Sequence, residues 1–170
     1  PEEDEALAEA LLHDPKNRIE HDYVARFIRD VFDRVCYNVD VPNTPQILKL
    51  THVQHLYTPA QACVLEGVDL YTLAQALHPT PAVSGAPVGE ARMLLRSIEP
   101  YSRGFYAGAC GYVDGNGDGE FSVALRTGVF DGEIGYVYGG CGIVADSGAQ
   151  AEYEEIDLKL RTILTGFGCA

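Results

Sequence analysis

The chain has 170 residues, enough for one well-filled core and too few for two comfortable domains. Twelve Lys and Arg against 25 Asp and Glu leave a net charge of −13, which argues against a polyanionic partner such as nucleic acid. With 46% hydrophobic residues the sequence folds rather than staying disordered, and no apolar run reaches membrane-spanning length.

Residues 2–13 read as a short acidic helix with Ala6, Leu7, Ala10, Leu11 and Leu12 as its apolar stripe, broken at Asp14-Pro15. A longer helix is expected from about Asn17 to Tyr37, on the spacing of Ile19, Tyr23, Val24, Phe27, Ile28, Val31 and Phe32. Val41–Pro45 is a loop, and Gln46 to Thr58 is β-like. Leu70–Leu77 is helical and stops at His78-Pro79-Thr80-Pro81, and another helix runs from about Val88 to Ile98. The last third is strand-rich, with Gly104–Val113, Phe121–Val129 and Ile134–Tyr138 separated by turns at Asp114–Gly119 and Asp131-Gly132. That pattern reads as an antiparallel meander. A final helix covers roughly Ala149 to Thr165, with Ser147 and Gln150 as a capping box. Helices and antiparallel strands without βαβ alternation give an α+β class.

Five cysteines without a C-x-x-C pattern (Cys36, Cys63, Cys110, Cys141, Cys169) indicate neither zinc nor a disulfide framework. Reduced, buried thiols in a cytoplasmic protein are the expectation. The chain opens on Pro1 and the acidic run Glu2–Glu5 and reads as the middle of a longer protein.

Three motifs compete for attention. Asp114-Gly115-Asn116-Gly117-Asp118-Gly119 matches the first half of an EF-hand loop, but Leu125 stands where the bidentate Glu is required, so a hairpin turn is expected. Gly140-Cys141-Gly142-Ile143-Val144-Ala145 satisfies G-x-G-x-x-A after a strand. Its helix starts several residues late and no parallel strand follows, so a dinucleotide site is rejected while glycine amides facing an anion are kept. Glu20-His21 on the long helix reads more readily as a solvated face than as metal ligands. Glu152, Glu155 and Lys159 lie on one face of the last helix, and Arg126 stands in an apolar β-rich run, either snorkelling or aimed at a carboxylate.

Leu77-His78-Pro79-Thr80-Pro81-Ala82-Val83-Ser84-Gly85, Glu99–Gly104, Ala124-Leu125-Arg126-Thr127, Gly140–Val144, Ala151–Glu155 and Lys159 occur in an order that resembles the C-terminal part of the chorismate-utilising enzymes. That family includes isochorismate, salicylate, anthranilate and aminodeoxychorismate synthases, and the resemblance spans about Leu11 to Gly168. The Leu77–Ala82 segment, Arg18–Asp22 and Gln54-His55-Leu56 resemble the isochorismate synthase branch, while Cys141 departs from the alanine more usual in the glycine turn. The resemblance implies a partial anthranilate synthase component I-like fold, antiparallel sheets wrapped by helices, with residues 1–170 the C-terminal portion of one chorismate-binding catalytic domain. It implies Mg²⁺ held by Glu20 and Glu155, with Glu152 as a near ligand. Tyr106, Arg126, Gly140, Cys141, Gly142 and Lys159 would bind substrate, Ala82 and Val83 would shape the pocket, and His55 and Thr80 would line the ring near the departing hydroxyl. The reaction implied is isomerisation of chorismate to isochorismate for siderophore or menaquinone synthesis, by a cytoplasmic enzyme that is a monomer in its full-length form. The family's activating lysine and protonating glutamate would lie upstream, so the isolated chain is expected to be inactive. The alternatives are another chorismate-utilising enzyme or a non-catalytic acidic module with Ca²⁺ at Asp114–Glu120.

Overall fold

In the computed structural model, residues 2–50 and 53–168 are described. Helix α1 (Glu2–His13) lies over a hairpin of β2 (Gln46–Lys49) and β3 (Gln54–Tyr57). Lys49 Nζ holds it there, donating to Asp4 at 2.8 Å and Glu5 at 2.6 Å.

Asp14-Pro15 ends one helix and starts the next. The Asp14 carboxylate accepts the Asn17 amide at 2.7 Å, and Pro15 takes the first turn, where no donor is missed, so α2 spans Pro15–Val35. It stops two residues before the expected Tyr37. Cys36 is already extended, and β1 (Cys36–Asp40) pairs antiparallel with β4 (Gln61–Val64), two strands the periodicity did not show. A register irregularity falls between Tyr37 and Asp40, where Asn38 takes a left-handed φ of 51°. The β-like stretch 46–58 is the β2–β3 hairpin, with Gln46 opposite Tyr57 and Lys49 opposite Gln54.

Helix α3 (Leu70–Leu77) is capped by Asp69 and ends before the prolines as expected, and Pro81 then opens a one-turn helix, α4 (Pro81–Ser84). Helix α5 (Val88–Ile98) follows. The C-terminal strands form two separate hairpins rather than one meander: β5 (Ala109–Val113) with β6 (Gly119–Val123), and β7 (Gly128–Asp131) with β8 (Ile134–Val137). Residues 104–107 turn instead of extending. Helix α6 covers Ala149–Gly166.

Helix α2 is the hub, packing against α1, α3, α4, β1 and β3. It carries the buried Val31, fully enclosed, and Phe32, and the buried Cys36 follows at the start of β1. The α+β class stands, its sheets reduced to four antiparallel pairs. Among the described residues no helix is long and apolar enough to cross a membrane. The expectation of uniformly buried thiols is corrected: Cys36 is buried and Cys141 half-buried, but Cys63 and Cys110 are exposed, because among the described residues β4 and β5 each lack a second neighbour. Cys169 lies outside the described residues.

Candidate active site

The inward stripe of α6 is Glu152, Ile156 and Leu160, spaced four apart. Gly139, leaving β8, packs onto it so closely that a Cβ there would stand 3.1 Å from Leu160 Cγ. The glycine turn is thereby pinned above α6 and runs across the N-terminal part of α2. At Gly142 a Cβ would meet Glu20 Oε2 at 2.8 Å, and at Gly140 it would meet Tyr106 Oη at 2.5 Å. The two glycines are thus set by close approach, one to a carboxylate and one to a phenol.

The stripe begins with a carboxylate, and burying one demands a partner. Glu152 has a side chain only 6% exposed, and Lys16 Nζ donates to its Oε1 at 2.5 Å and lies 3.6 Å from Glu20 Oε1. The second oxygen, Glu152 Oε2, is buried without a hydrogen-bond partner, and so is Glu20 Oε1. On the next turn Lys159 Nζ donates to Glu155 Oε1 at 2.5 Å and to the Gly140 carbonyl at 3.1 Å. The glycine turn and the acidic helix are therefore joined by a lysine. The amides of Gly140, Cys141 and Gly142 donate no hydrogen bond to another described residue.

These contacts divide the acids. The Lys16 hydrogen bond holds the Glu152 carboxyl below its ordinary range, while burial pushes Glu20 up, opposed by Lys16 and reinforced by the charges of Glu155 and Glu152. Burial, then the Glu152 carboxylate beside it, pushes the Cys141 thiol up to about 11. Among the described residues no group of three or more His, Cys, Asp or Glu side chains is arranged to hold a metal. Two ammonium groups take up the carboxylates instead. The buried carboxylate oxygens left without hydrogen bonds are still the donors a hard divalent cation takes.

An aromatic wall adjoins the turn. Tyr106 stacks on Tyr138 with centroids 5.6 Å apart, and burial raises its phenol pKa. Arg103 lies over the Tyr106 ring at 5.9 Å, grips Glu99 through Nε and Nη2, and donates Nη1 to the Val83 carbonyl at 2.6 Å. That arginine ties the 99–106 loop to α4.

The other expected site residues lie apart from this cluster or only border it. His55 is exposed on β3, opposite Leu48, and its ring makes no hydrogen bond with another described residue. Thr80 precedes α4 and caps it with its carbonyl, not its hydroxyl; Ala82 is exposed beside the half-buried Val83. Arg126 is exposed between β6 and β7 with a left-handed φ of 51°, an uncommon backbone for a bulky residue, and touches no carboxylate among the described residues. The expected capping box is absent. Gly148 precedes α6 without a side-chain cap, and Ser147 Oγ instead accepts the Val144 amide at 3.0 Å, closing the glycine turn on itself. His21 shares a hydrogen bond of 2.7 Å with Thr58 Oγ1. Asp114 spends its carboxylate on the Asn116 and Asp118 amides, as a hairpin turn requires. Lys16 was missed by sequence reading, although its place four residues before Glu20 on one helix face was the available signal.

The family model described as chorismate binding enzyme matches residues 1–168. The chain is 41% identical over 167 residues to isochorismate synthase MenF of Bacillus subtilis, covering 98% of this chain and 36% of that protein. It is 42% identical over 159 residues to the salicylate biosynthesis isochorismate synthase of Pseudomonas aeruginosa, covering 94% and 33%. The crystal structure of DhbC from Bacillus anthracis matches with a TM-score of 0.92 at 36% identity, covering 100% of this chain and 46% of that one. The chain thus spans between a third and a half of the lengths of these relatives. With that model matching nearly the whole chain, the chain belongs to the chorismate binding enzyme family.

Proposed function

We propose that this chain is the metal- and carboxylate-binding portion of a cytoplasmic isochorismate synthase, the C-terminal part of one catalytic domain that works as a monomer. The observation that carries the reading is the meeting of α2 and α6 under the glycine turn. Residues 136 positions apart share one acidic centre there, beside three backbone amides that have no acceptor among the described residues.

In this reading Glu20 and Glu155 hold Mg²⁺, with Glu152 next to it. The ion, when bound, supplies positive charge for a substrate carboxylate. The amides of Gly140, Cys141 and Gly142 offer hydrogen bonds to a carboxylate of chorismate, and Lys159, already reaching the Gly140 carbonyl, adds charge at the same place. Tyr106 and Arg126 serve the enolpyruvyl carboxylate. Val83 and Ala82 shape the ring pocket, with His55 and Thr80 near the leaving hydroxyl. Isomerisation adds water at C2 as the C4 hydroxyl departs with an allylic double-bond shift, and both proton transfers need an acid and a base. Glu152 and Glu155 contribute neither, since both are paired with ammonium groups.

Two measurements test this. Calorimetry should show chorismate binding to the chain that requires Mg²⁺ and is lost in Glu155→Gln. A chimera joining the chain to the remaining N-terminal part of the Bacillus subtilis relative should release isochorismate from chorismate. Salicylate as the product, or anthranilate when ammonia is added, would move the chain to another branch of the family. Binding indifferent to both Mg²⁺ and Glu155 would sink the proposal.

A further inference from the structure

Five charged side chains meet where α2 passes α6, and their pairing is unequal. Lys16 is committed to the almost fully buried Glu152 at 2.5 Å and only approaches Glu20 at 3.6 Å. Lys159 is committed to Glu155 and to the glycine turn. A half-buried ammonium at contact distance from one acid and near a second is a fixed positive charge inside the place where a divalent cation would stand. We infer that Lys16 is the resident counter-cation of the acidic centre: by binding Glu152 it keeps that carboxylate out of the metal's ligand set and limits how tightly Glu20 and Glu155 hold a divalent ion. The inference rests on the metal reading above and deepens it.

The physical argument is one of charge and supply. With Lys16 in place, Glu152 is already neutralised at one oxygen, and any ion entering beside it meets like charge. Without Lys16, Glu152 joins Glu20 as a carboxylate with no ammonium partner, its unpartnered Oε2 among the donors, and the repulsion from Lys16 is gone. Removing Glu152 does the reverse. The ammonium, deprived of its stronger partner, closes the gap to Glu20 and competes with the metal there. Lys16 is thus a positioning residue, and the two single substitutions act in opposite directions.

Titration calorimetry with Mg²⁺ and with Mn²⁺, together with melting in EDTA and in each metal, provides the test. Lys16→Met should tighten both metals by about tenfold or more, the scale expected when one unit charge is removed from beside a divalent ion. It should also show a larger metal-induced rise in melting temperature than the parent chain. Glu152→Gln should weaken both by about tenfold, and the Lys16→Met/Glu152→Gln pair should return to within about threefold of the parent, since the local charge is then unchanged. Lys16→Arg, which keeps the charge, should stay near the parent. Unchanged or weaker binding in a cooperatively melting Lys16→Met would overturn the inference, as would a double variant as weak as Glu152→Gln, which would make Glu152 a direct ligand. If Lys16→Met melts without cooperativity, the Glu152→Gln and double variants decide on the same criterion. Absence of binding by the parent and by every variant would overturn the metal reading itself, and this inference with it.

Discussion

Glu152 and Glu20 sit a few ångströms apart and titrate in opposite directions, because one has an ammonium partner and the other chiefly has burial. The folded pKa of Glu152 is depressed, so its stabilisation is present above the ordinary carboxylate pKa and is lost as pH falls through the folded value. The folded pKa of Glu20 is raised, so between its ordinary and folded values the native state binds more protons, and stability falls as pH rises through that window. Carboxyl NMR titration should therefore place the Glu20 midpoint above and the Glu152 midpoint below that of an ordinary glutamate, and Lys16→Met should raise both. At Gly142, where no Cβ fits beside Glu20, Gly142→Ala should displace the Glu20 carboxylate. Mg²⁺-dependent chorismate binding should then weaken about tenfold or more, as misplacement of a ligating group by a fraction of an ångström commonly does. Cys141, whose thiol is pushed up to about 11, should alkylate far more slowly at neutral pH than the exposed Cys63 and Cys110, a contrast that peptide mass mapping would read directly.

Among the elements, α2 carries both the core and the site: Val31 and Phe32 on its C-terminal half, Lys16 and Glu20 on its first turns. Val31→Ala removes two methyl groups' worth of fully buried surface and leaves a cavity beside Phe32, which should cost about 2–3 kcal/mol in urea unfolding. Glu20 should be disturbed by that change only through loss of the helix as a whole. Periodicity located α1, α3, α5 and α6 to within a residue or so of their observed ends, because proline, aspartate caps and the apolar stripe act locally. Local rules fell short at Tyr37, where an apolar stripe compatible with more helix gives way to a strand because β4 supplies a ladder. At Ser147 a good capping residue is drawn into the glycine turn by the Val144 amide.

At the scale of the molecule the surface is the unusual quantity. The accessible area is 11974 Å², whereas a compact monomer of this mass has roughly 8,200 Å². The excess is the size of an obligate interface rather than of scattered surface contacts. It includes Phe105 at 77% and Ile143 at 71% exposed, and strands that each have one neighbour and one open edge. The purified chain should accordingly bind a hydrophobic dye and associate with rising concentration. Light scattering from a non-associating, dye-silent monomer would contradict this. It should also form little or no isochorismate by itself, since Glu152 and Glu155 are held in lysine pairs and do not supply the acid and base that the two proton transfers need.

The sequence by itself determined the class, most of the helices, the turns and the family. Those follow from short-range rules and from ordered motifs that a linear text preserves. It did not show that β1 pairs with β4, that the C-terminal strands form two hairpins, or that Lys16 reaches across 136 positions to Glu152. Long-range pairing depends on which segments the packed chain brings together. Whether a charged residue is a ligand, a counter-ion or a solvated ornament depends on burial, which only the tertiary structure decides.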